Sequence, residues 1–149
     1  MNRPPTVHGS AVLIGETGIL IRGASASGKS TLALELMSAD PERARLVADD
    51  RVIVTALHGR LLADVPVAIA GLIEVRGIGL LRWPHIAPVI VRLVVDLEPA
   101  DACPRLPGTA DAEIAVAGIL LPRLLLPVEG ASGAERVRAA IKHLLAPSG

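Results

Sequence analysis

One stretch, Gly23-Ala24-Ser25-Ala26-Ser27-Gly28-Lys29-Ser30, constrains this chain more than any other, because it fits G-x-x-x-x-G-K-[ST], a pattern that cradles phosphate. Gly23 and Gly28 let the backbone turn tightly and bring N–H groups against phosphate oxygens, where a side chain would intrude. The small residues Ala24, Ser25, Ala26 and Ser27 leave room for the loop to wrap an anion. Lys29 carries a cation to the β- and γ-phosphates, and the Ser30 hydroxyl suits Mg²⁺. The phosphate-contacting set then runs from Gly23 through Thr31. The pattern has this meaning only between a strand and a helix. Gly18 to Arg22, apolar and branched, predicts a buried strand. Thr31 to Met37, with Leu32 and Leu36 on one face, predicts a helix that begins inside the motif and aims its positive end at the anion. Lys29 and Lys142 are the only lysines, so Lys29 is not one of many surface cations.

The rest of the composition narrows the setting. A chain of 149 residues is read as one domain, 1–149, with a core of Leu, Val, Ile and Ala. Hydrophobic residues make up 51%, yet no run of eighteen or more lacks a charge, which argues against a membrane span. No signal-peptide core follows Met1, and the expected location is cytoplasmic. A net charge of +0 and a lone aromatic, Trp83, leave neither a basic grip nor a stacking platform for nucleic acid. Cys103, the one cysteine, excludes an internal disulfide and reads as an incidental loop thiol.

Along the chain, Ser10–Ile14 and Gly18–Arg22 flank Gly15-Glu16-Thr17 and predict a hairpin. Antiparallel pairing puts His8 beside the exit of the second strand, next to the phosphate loop; an ordinary turn histidine fits the residues as well. After the loop helix, Leu46-Val47-Ala48 reads as a second parallel strand ending in Asp49-Asp50, where strands of an open α/β sheet present ligands. Adjacent like charges divide the labour, one carboxylate near Mg²⁺ and the other near an attacking hydroxyl; the alternative is a solvated Asp-Asp turn. Val52–Leu57, His58-Gly59 and Arg60–Ala63 predict a hairpin, while Pro66–Gly71 reads as a short helix or a loop. Leu72 to Leu81 reads as one apolar strand with Glu74 and Arg76 on the same face, a structural ion pair, and Gly77 and Gly79 suggest a close approach to its backbone. Trp83-Pro84-His85 reads as a turn. Pro88–Leu97 predicts a strand, Glu98–Ala112 a loop, and Ile114–Ala117 and Leu124–Val128 strands around Pro122. Gly133–Leu145 predicts an amphipathic helix with Val137, Ile141, Leu144 and Leu145 on one face, and His143 near its end has a dipole explanation.

Several of these stretches together resemble one family. Val7-His8-Gly9, the Gly23–Ser30 loop, Ala33-Leu34-Glu35-Leu36, and Arg45-Leu46-Val47-Ala48-Asp49-Asp50-Arg51-Val52 are similar to the catalytic domain of HPr kinase/phosphorylase. Gly71-Leu72-Ile73-Glu74-Val75-Arg76-Gly77-Ile78-Gly79 looks like that family's signature, and Leu121 to Val128 matches a later stretch. The resemblance implies an α/β, P-loop-containing kinase domain with a mixed, strand-rich sheet, like HPr kinase and phosphoenolpyruvate carboxykinase. It implies ATP and Mg²⁺ as cofactors and a serine of an HPr-type phosphocarrier of the phosphotransferase system as acceptor. It also implies a possible reverse reaction with inorganic phosphate, and hexamers. By the same resemblance Asp50 is the general base, tuned by Asp49 and His8; Lys29 is the phosphate lysine and Arg76 a signature residue. Ser30 and Glu74 fall at metal-associated positions, beside Asp49 and Asp50.

The chain also departs from the family. Ala24 stands where an acid is usual and Ala26 where glycine is. Glu129-Gly130-Ala131-Ser132 replaces a basic Gly-Arg-Asn segment, and since the match starts at His8 the expectation is a short form without the family's N-terminal domain and with one helix in place of several at the end. These departures favour the kinase reaction over the phosphorylase. They also keep two rivals open: a nucleotide-sensing regulator without transfer, and a small-molecule kinase on the same scaffold.

Overall fold

The computed structural model describes residues 5–106, 108, 110–128, 130 and 132–145. Met1, and Glu129 and Ala131 of the departing segment, lie outside that set, as does the side chain of Leu144. Strands β1 (Thr6–Ile14) and β2 (Thr17–Gly23) form the predicted hairpin, with Gly9 opposite Arg22 and Ile14 opposite Thr17. The chain then loops into helix α1 (Lys29–Ala39) and returns as β3 (Ala44–Ala48). β3 is not a neighbour of β2: it pairs antiparallel with β1, which lies between the two. β2 and β3 thus run in one sense, as expected of parallel strands, but they are separated by an antiparallel strand. The start of β1 therefore emerges at the same end as the carboxyl ends of β2 and β3. That end carries the site.

β4 (Arg51–Leu57) and β5 (Arg60–Asp64) form the second predicted hairpin, turned by His58 and Gly59 at φ 50 and 76. Two residues at positive φ make the turn that matches strand twist. Pro66–Gly71 resolves into a single 3₁₀ turn at Val67–Ile69. The long strand expected over Leu72–Leu81 is instead a hairpin, β6 (Leu72–Val75) and β7 (Gly79–Arg82). Gly77 and Gly79 are the reason. At φ 86 and 119 they serve the turn, and a Cβ built on either meets nothing within 4 Å among the described residues. Arg76 sits in that turn rather than on the strand, and no ion pair joins it to Glu74 among the described residues.

β8 (Val89–Glu98) runs parallel to β2 and to β10 (Ile119–Pro127), and antiparallel to β5. Because β8 pairs with both β2 and β5, the strands β2-β1-β4-β5-β8 close on themselves. β9 (Glu113–Val116) and β10 form the last hairpin, and Pro122 lies inside β10 rather than between strands. It sits where β10 passes from pairing with β9 to pairing with β8, a place where a missing N–H breaks no ladder. Helix α2 (Gly133–Leu144) follows.

Alternation along β2 and β8 divides the core in two. Ile19, Ile21, Leu93 and Val95 face α1 and α2, packing on Leu32, Leu36, Met37 and Val137. Leu20 and Val94 point the other way, into the curled sheet with Ala11, Val52, Val54 and Leu61. Strands buried on both faces read as unbroken apolar runs, which is why these two were legible. Each such Leu or Val contributes about 1.5–3 kcal/mol by burial. Trp83 packs partly against the helix-side core, and its main-chain N–H donates to Gly71 O.

Candidate active site

The loop from Gly23 to Gly28 joins β2 to α1, with Gly28 at φ 99 as the residue before the helix. A Cβ on Gly23 would lie 2.5 Å from Ser27 Oγ and 3.1 Å from Leu97 O, so any side chain there would have to displace its neighbours. Ala26 holds φ 63, a left-handed conformation where its Cβ costs on the order of 1–2 kcal/mol and glycine would cost little. Helix α1 starts at Lys29, so the N–H groups of its first turn face the loop. Lys29 is buried and folds back, donating from Nζ to Gly23 O at 2.9 Å and Ala24 O at 2.7 Å. Burial pushes its ammonium below the ordinary lysine value, while Asp50 and Asp49 pull it back up.

Asp49, just beyond β3, is 5% exposed. Its Oδ1 accepts from Ser30 Oγ at 2.6 Å and Ser10 Oγ at 2.7 Å, and its Oδ2 from the Glu74 backbone N–H at 3.0 Å. All three donors are neutral, and no ion pair within 4.0 Å reaches Asp49 among the described residues. Asp50 turns the opposite way. Its backbone takes φ 72, tolerated by Asp in short turns, and its side chain is 73% exposed. His8 links it to the loop: Nδ1 lies 3.1 Å from Asp50 O and 3.5 Å from Asp50 Oδ1, and Nε2 lies 3.4 Å from Ser25 Oγ.

A cavity of about 340 Å³ gathers most of the residues singled out from the sequence: His8, Ser25, Ala26, Gly28, Lys29, Ser30, Thr31, Asp50, Glu74 and Arg76 line it. Asp49 lies beneath its floor, bonded to the lining residues Ser10 and Ser30. Gly23 and Ala24 contribute the carbonyls that hold Lys29. A second cavity, of about 290 Å³, shares Ala26, Gly28, Thr31 and Arg76 with the first. It extends over Glu35 to apolar walls from Leu97, Leu126 and Pro127. Ser27 lines this second cavity, and its buried Oγ has no hydrogen-bond partner among the described residues. Among the described residues no three His, Cys, Asp or Glu side chains form a ready metal cage. Asp49 and Asp50 point apart, so Ser30, Asp49, Asp50 and Glu74 are not a closed ligand set.

Two features escaped the sequence reading. Ser10 is fully buried under Asp49, and its signal was the period of two along β1, which puts it on the face of His8. The other is a buried ion network: Asp96, 4% exposed, accepts from Arg22 Nε at 2.7 Å and Nη2 at 2.8 Å, and from Arg123 Nε at 2.7 Å. That hydrogen bond, and then the Asp96 charge, hold the Arg22 guanidinium above its already high ordinary value against desolvation. Cys103, expected to be incidental, sits with Sγ 3.8 Å from Glu98 O, and desolvation raises its thiol. Among the described residues no helix is long and apolar enough to cross a membrane.

Comparison with known proteins gives the fold a lineage. HPr kinase/phosphorylase of Clostridium acetobutylicum is 36% identical over 132 residues, covering 82% of this chain and 42% of its own length. The enzyme of the same description from Geobacillus thermodenitrificans is 36% identical over 136 residues, with the same shares. The chain thus spans less than half the length of these relatives. The solved structure of the Hpr(Ser) kinase/phosphatase from Coxiella burnetii shares the fold, with a TM-score of 0.80 at 24% identity over 95% of this chain and 90% of that one. The family model described as the HPr Serine kinase C-terminal domain matches residues 1–146. The chain therefore belongs to the HPr serine kinase C-terminal domain family.

Proposed function

We propose that this chain is an ATP- and Mg²⁺-dependent kinase that phosphorylates a serine of an HPr-type phosphocarrier, working in the kinase direction. The observation that carries the reading is the pairing of Asp49 and Asp50 around one cavity: one carboxylate buried against the Ser30 hydroxyl, the other exposed at the mouth beside His8. Loop N–H groups and the start of α1 bind the triphosphate in this reading, and Lys29 leaves its two loop carbonyls to meet phosphate oxygens. The nucleoside would lie in the adjoining cavity, whose walls include Leu97, Leu126, Pro127 and Glu35.

Hard oxygen donors fit a magnesium ion: a buried carboxylate with no cation on it, and a serine hydroxyl 2.6 Å away. Mg²⁺ is commonly held by one or two carboxylates together with substrate phosphates and water, so an open, partial ligand set supports this reading. When bound, the ion draws off charge that develops on the phosphates. Asp50 accepts the proton of the incoming seryl hydroxyl, and His8 orients it through the contact at 3.5 Å. Arg76 and Glu74 border the path of the acceptor.

Labelled ATP, Mg²⁺ and a purified HPr-type carrier test the proposal. Phosphoserine on the carrier supports it; nucleotide binding without turnover favours the sensing rival, and transfer to a metabolite alone favours the small-molecule kinase. Asp50→Ala is expected to lower transfer about 10²–10⁴-fold while nucleotide affinity holds. Lys29→Ala is expected to lose both. Normal transfer by Asp50→Ala would remove that residue from its role.

A further inference from the structure

Beside the cavity stands a surface that phosphate chemistry does not use. In the β6–β7 hairpin, Ile73, Val75 and Leu81 face the core, while Leu72, Glu74, Leu80 and Arg82 share the outer face, with Glu74 directly opposite Leu80. Leu80 is 69% exposed and Ile78, at the turn, 70% exposed. Two large apolar side chains thus stand in water within one hairpin, rimmed by Glu74, Arg76 and Arg82. Glu74 and Arg76 also line the catalytic cavity, so the apolar spot begins at its lip. Its position is fixed, because the Glu74 backbone N–H is bonded to Asp49 at 3.0 Å. Exposed apolar side chains ringed by charge mark contact sites for other proteins.

We propose that the outer face of this hairpin, centred on Ile78 and Leu80, is the docking surface for the carrier protein whose serine is phosphorylated. The inference rests on the kinase reading and adds where the acceptor protein lands. The acceptor hydroxyl must reach Asp50, whose side chain is 73% exposed at the cavity mouth. A folded protein delivering a serine there has to cover the neighbouring surface, and Ile78 and Leu80 are the large apolar side chains at that lip. A second copy of this chain on the same spot would obstruct the mouth that the acceptor must enter. Two anchors and a charged rim suit a transient encounter, at the small end of protein interfaces. Arg76 and Arg82 select a partner that presents an apolar side chain next to its serine, flanked by acidic groups.

Carrier binding and carrier phosphorylation, measured separately in the full chain, test this. The variants are Leu80→Glu and Ile78→Ser, with Leu80→Met as the conservative control. Both polar variants are expected to raise the Kd and KM for a purified HPr-type carrier about 10-fold or more. The KM for nucleotide and the kcat at saturating carrier stay at wild-type values, and Leu80→Met behaves as wild type. Carrier binding that is absent in the wild type, or unchanged in both variants, overturns the docking surface. So does a loss that tracks nucleotide affinity, or a fall in oligomeric mass on sedimentation, which would assign the spot to a second copy. Hairpin-dependent binding without any phosphoserine would support the docking surface and overturn the kinase reading alone.

Discussion

Asp49 and Asp96 are buried to the same degree, 5% and 4% exposed, and each accepts three hydrogen bonds, but their partners differ in kind. Asp96 lies between two guanidiniums, Arg22 and Arg123, and its charge is fully met. Asp49 is held by two hydroxyls and a peptide N–H, which orient its oxygens, and among the described residues no cation pairs with it directly. A buried carboxylate with no counter-ion is expensive unless a cation arrives. Asp96 therefore reads as a clamp across β2, β8 and β10, and Asp49, on the kinase reading proposed above, as a seat for a metal. Burial alone does not separate structure from function here; the charge of the donors does.

The sharpest way to break that contrast is to make the same substitution twice. Asp49→Asn is expected to lower phosphoryl transfer about 10³-fold, the several kcal/mol that metal stabilisation supplies, with a melting temperature close to wild type. Asp96→Asn is expected to lose about 3–5 kcal/mol of stability, because two partly buried guanidiniums lose the buried carboxylate that meets their charge. For a chain of this size that is a fall of about 10 °C in melting temperature. Assayed well below its melting point, Asp96→Asn should still transfer phosphate. Thermal melts and single-turnover assays on the two variants decide the matter. If folded Asp96→Asn is as inactive as Asp49→Asn, the distinction between clamp and seat is wrong.

The two aspartates were also unequally legible. Asp49 follows a short apolar strand and precedes another acid, a local pattern that the motif at Gly23–Ser30 gives meaning to. Asp96 is one of two acids in a ten-residue, mostly apolar strand, and its partners are 74 and 27 residues away. Nothing local predicts that meeting; it depends on β2 and β10 flanking β8. The same divide runs through the fold. Hairpins at Gly15-Glu16 and His58-Gly59 were readable from turn chemistry. The Leu72–Leu81 hairpin reads as one strand because apolar residues flank its short turn closely on both sides, and Pro122 reads as a break because its crossover position is set by β8. The mutual placement of His8, Asp50 and Ser25 was half visible, through antiparallel pairing, but the inward turn of Asp49 and the outward turn of Asp50 needed the φ of 72.

A middle-sized effect tests how the seat is held. Ser10 supplies one of two hydroxyls on Asp49 Oδ1 and touches the proposed metal only through that carboxylate, so it is a positioning residue. Ser10→Ala is expected to lower transfer roughly 10–100-fold, the range seen when a partner of a metal ligand is removed. The loss should take the form of a higher Mg²⁺ requirement, with nucleotide affinity in the absence of metal unchanged. Ser10→Thr keeps the hydroxyl and should restore most activity. A Mg²⁺ titration of the three proteins reads this out; equal loss in Ala and Thr variants would mean that packing, not the hydrogen bond, matters.

The smallest effect compares the cations that stand near the two aspartates. Arg22 is held further into its charged form by its hydrogen bonds to Asp96, whereas burial lowers Lys29 below 10.5 despite the pull of Asp50 and Asp49. The sign for Lys29 follows from proton counting. Between its lowered value and 10.5 the unfolded chain binds more protons at this position than the folded one, so this lysine makes stability rise with pH in that window. Triphosphate binding should run the other way, since the ammonium that meets the phosphates is lost as pH climbs through the lowered value. The weakening is at most about tenfold for each unit by which the lysine is shifted. In Lys29→Arg both trends should vanish, since a guanidinium stays charged throughout. Nucleotide titrations and thermal melts from pH 7.5 to 10.5 on the two proteins would show it. A wild-type affinity that stays level to pH 10.5 would mean that Lys29 keeps its proton, and that the field of Asp49 is as well met from Lys29 as that of Asp96 is from Arg22.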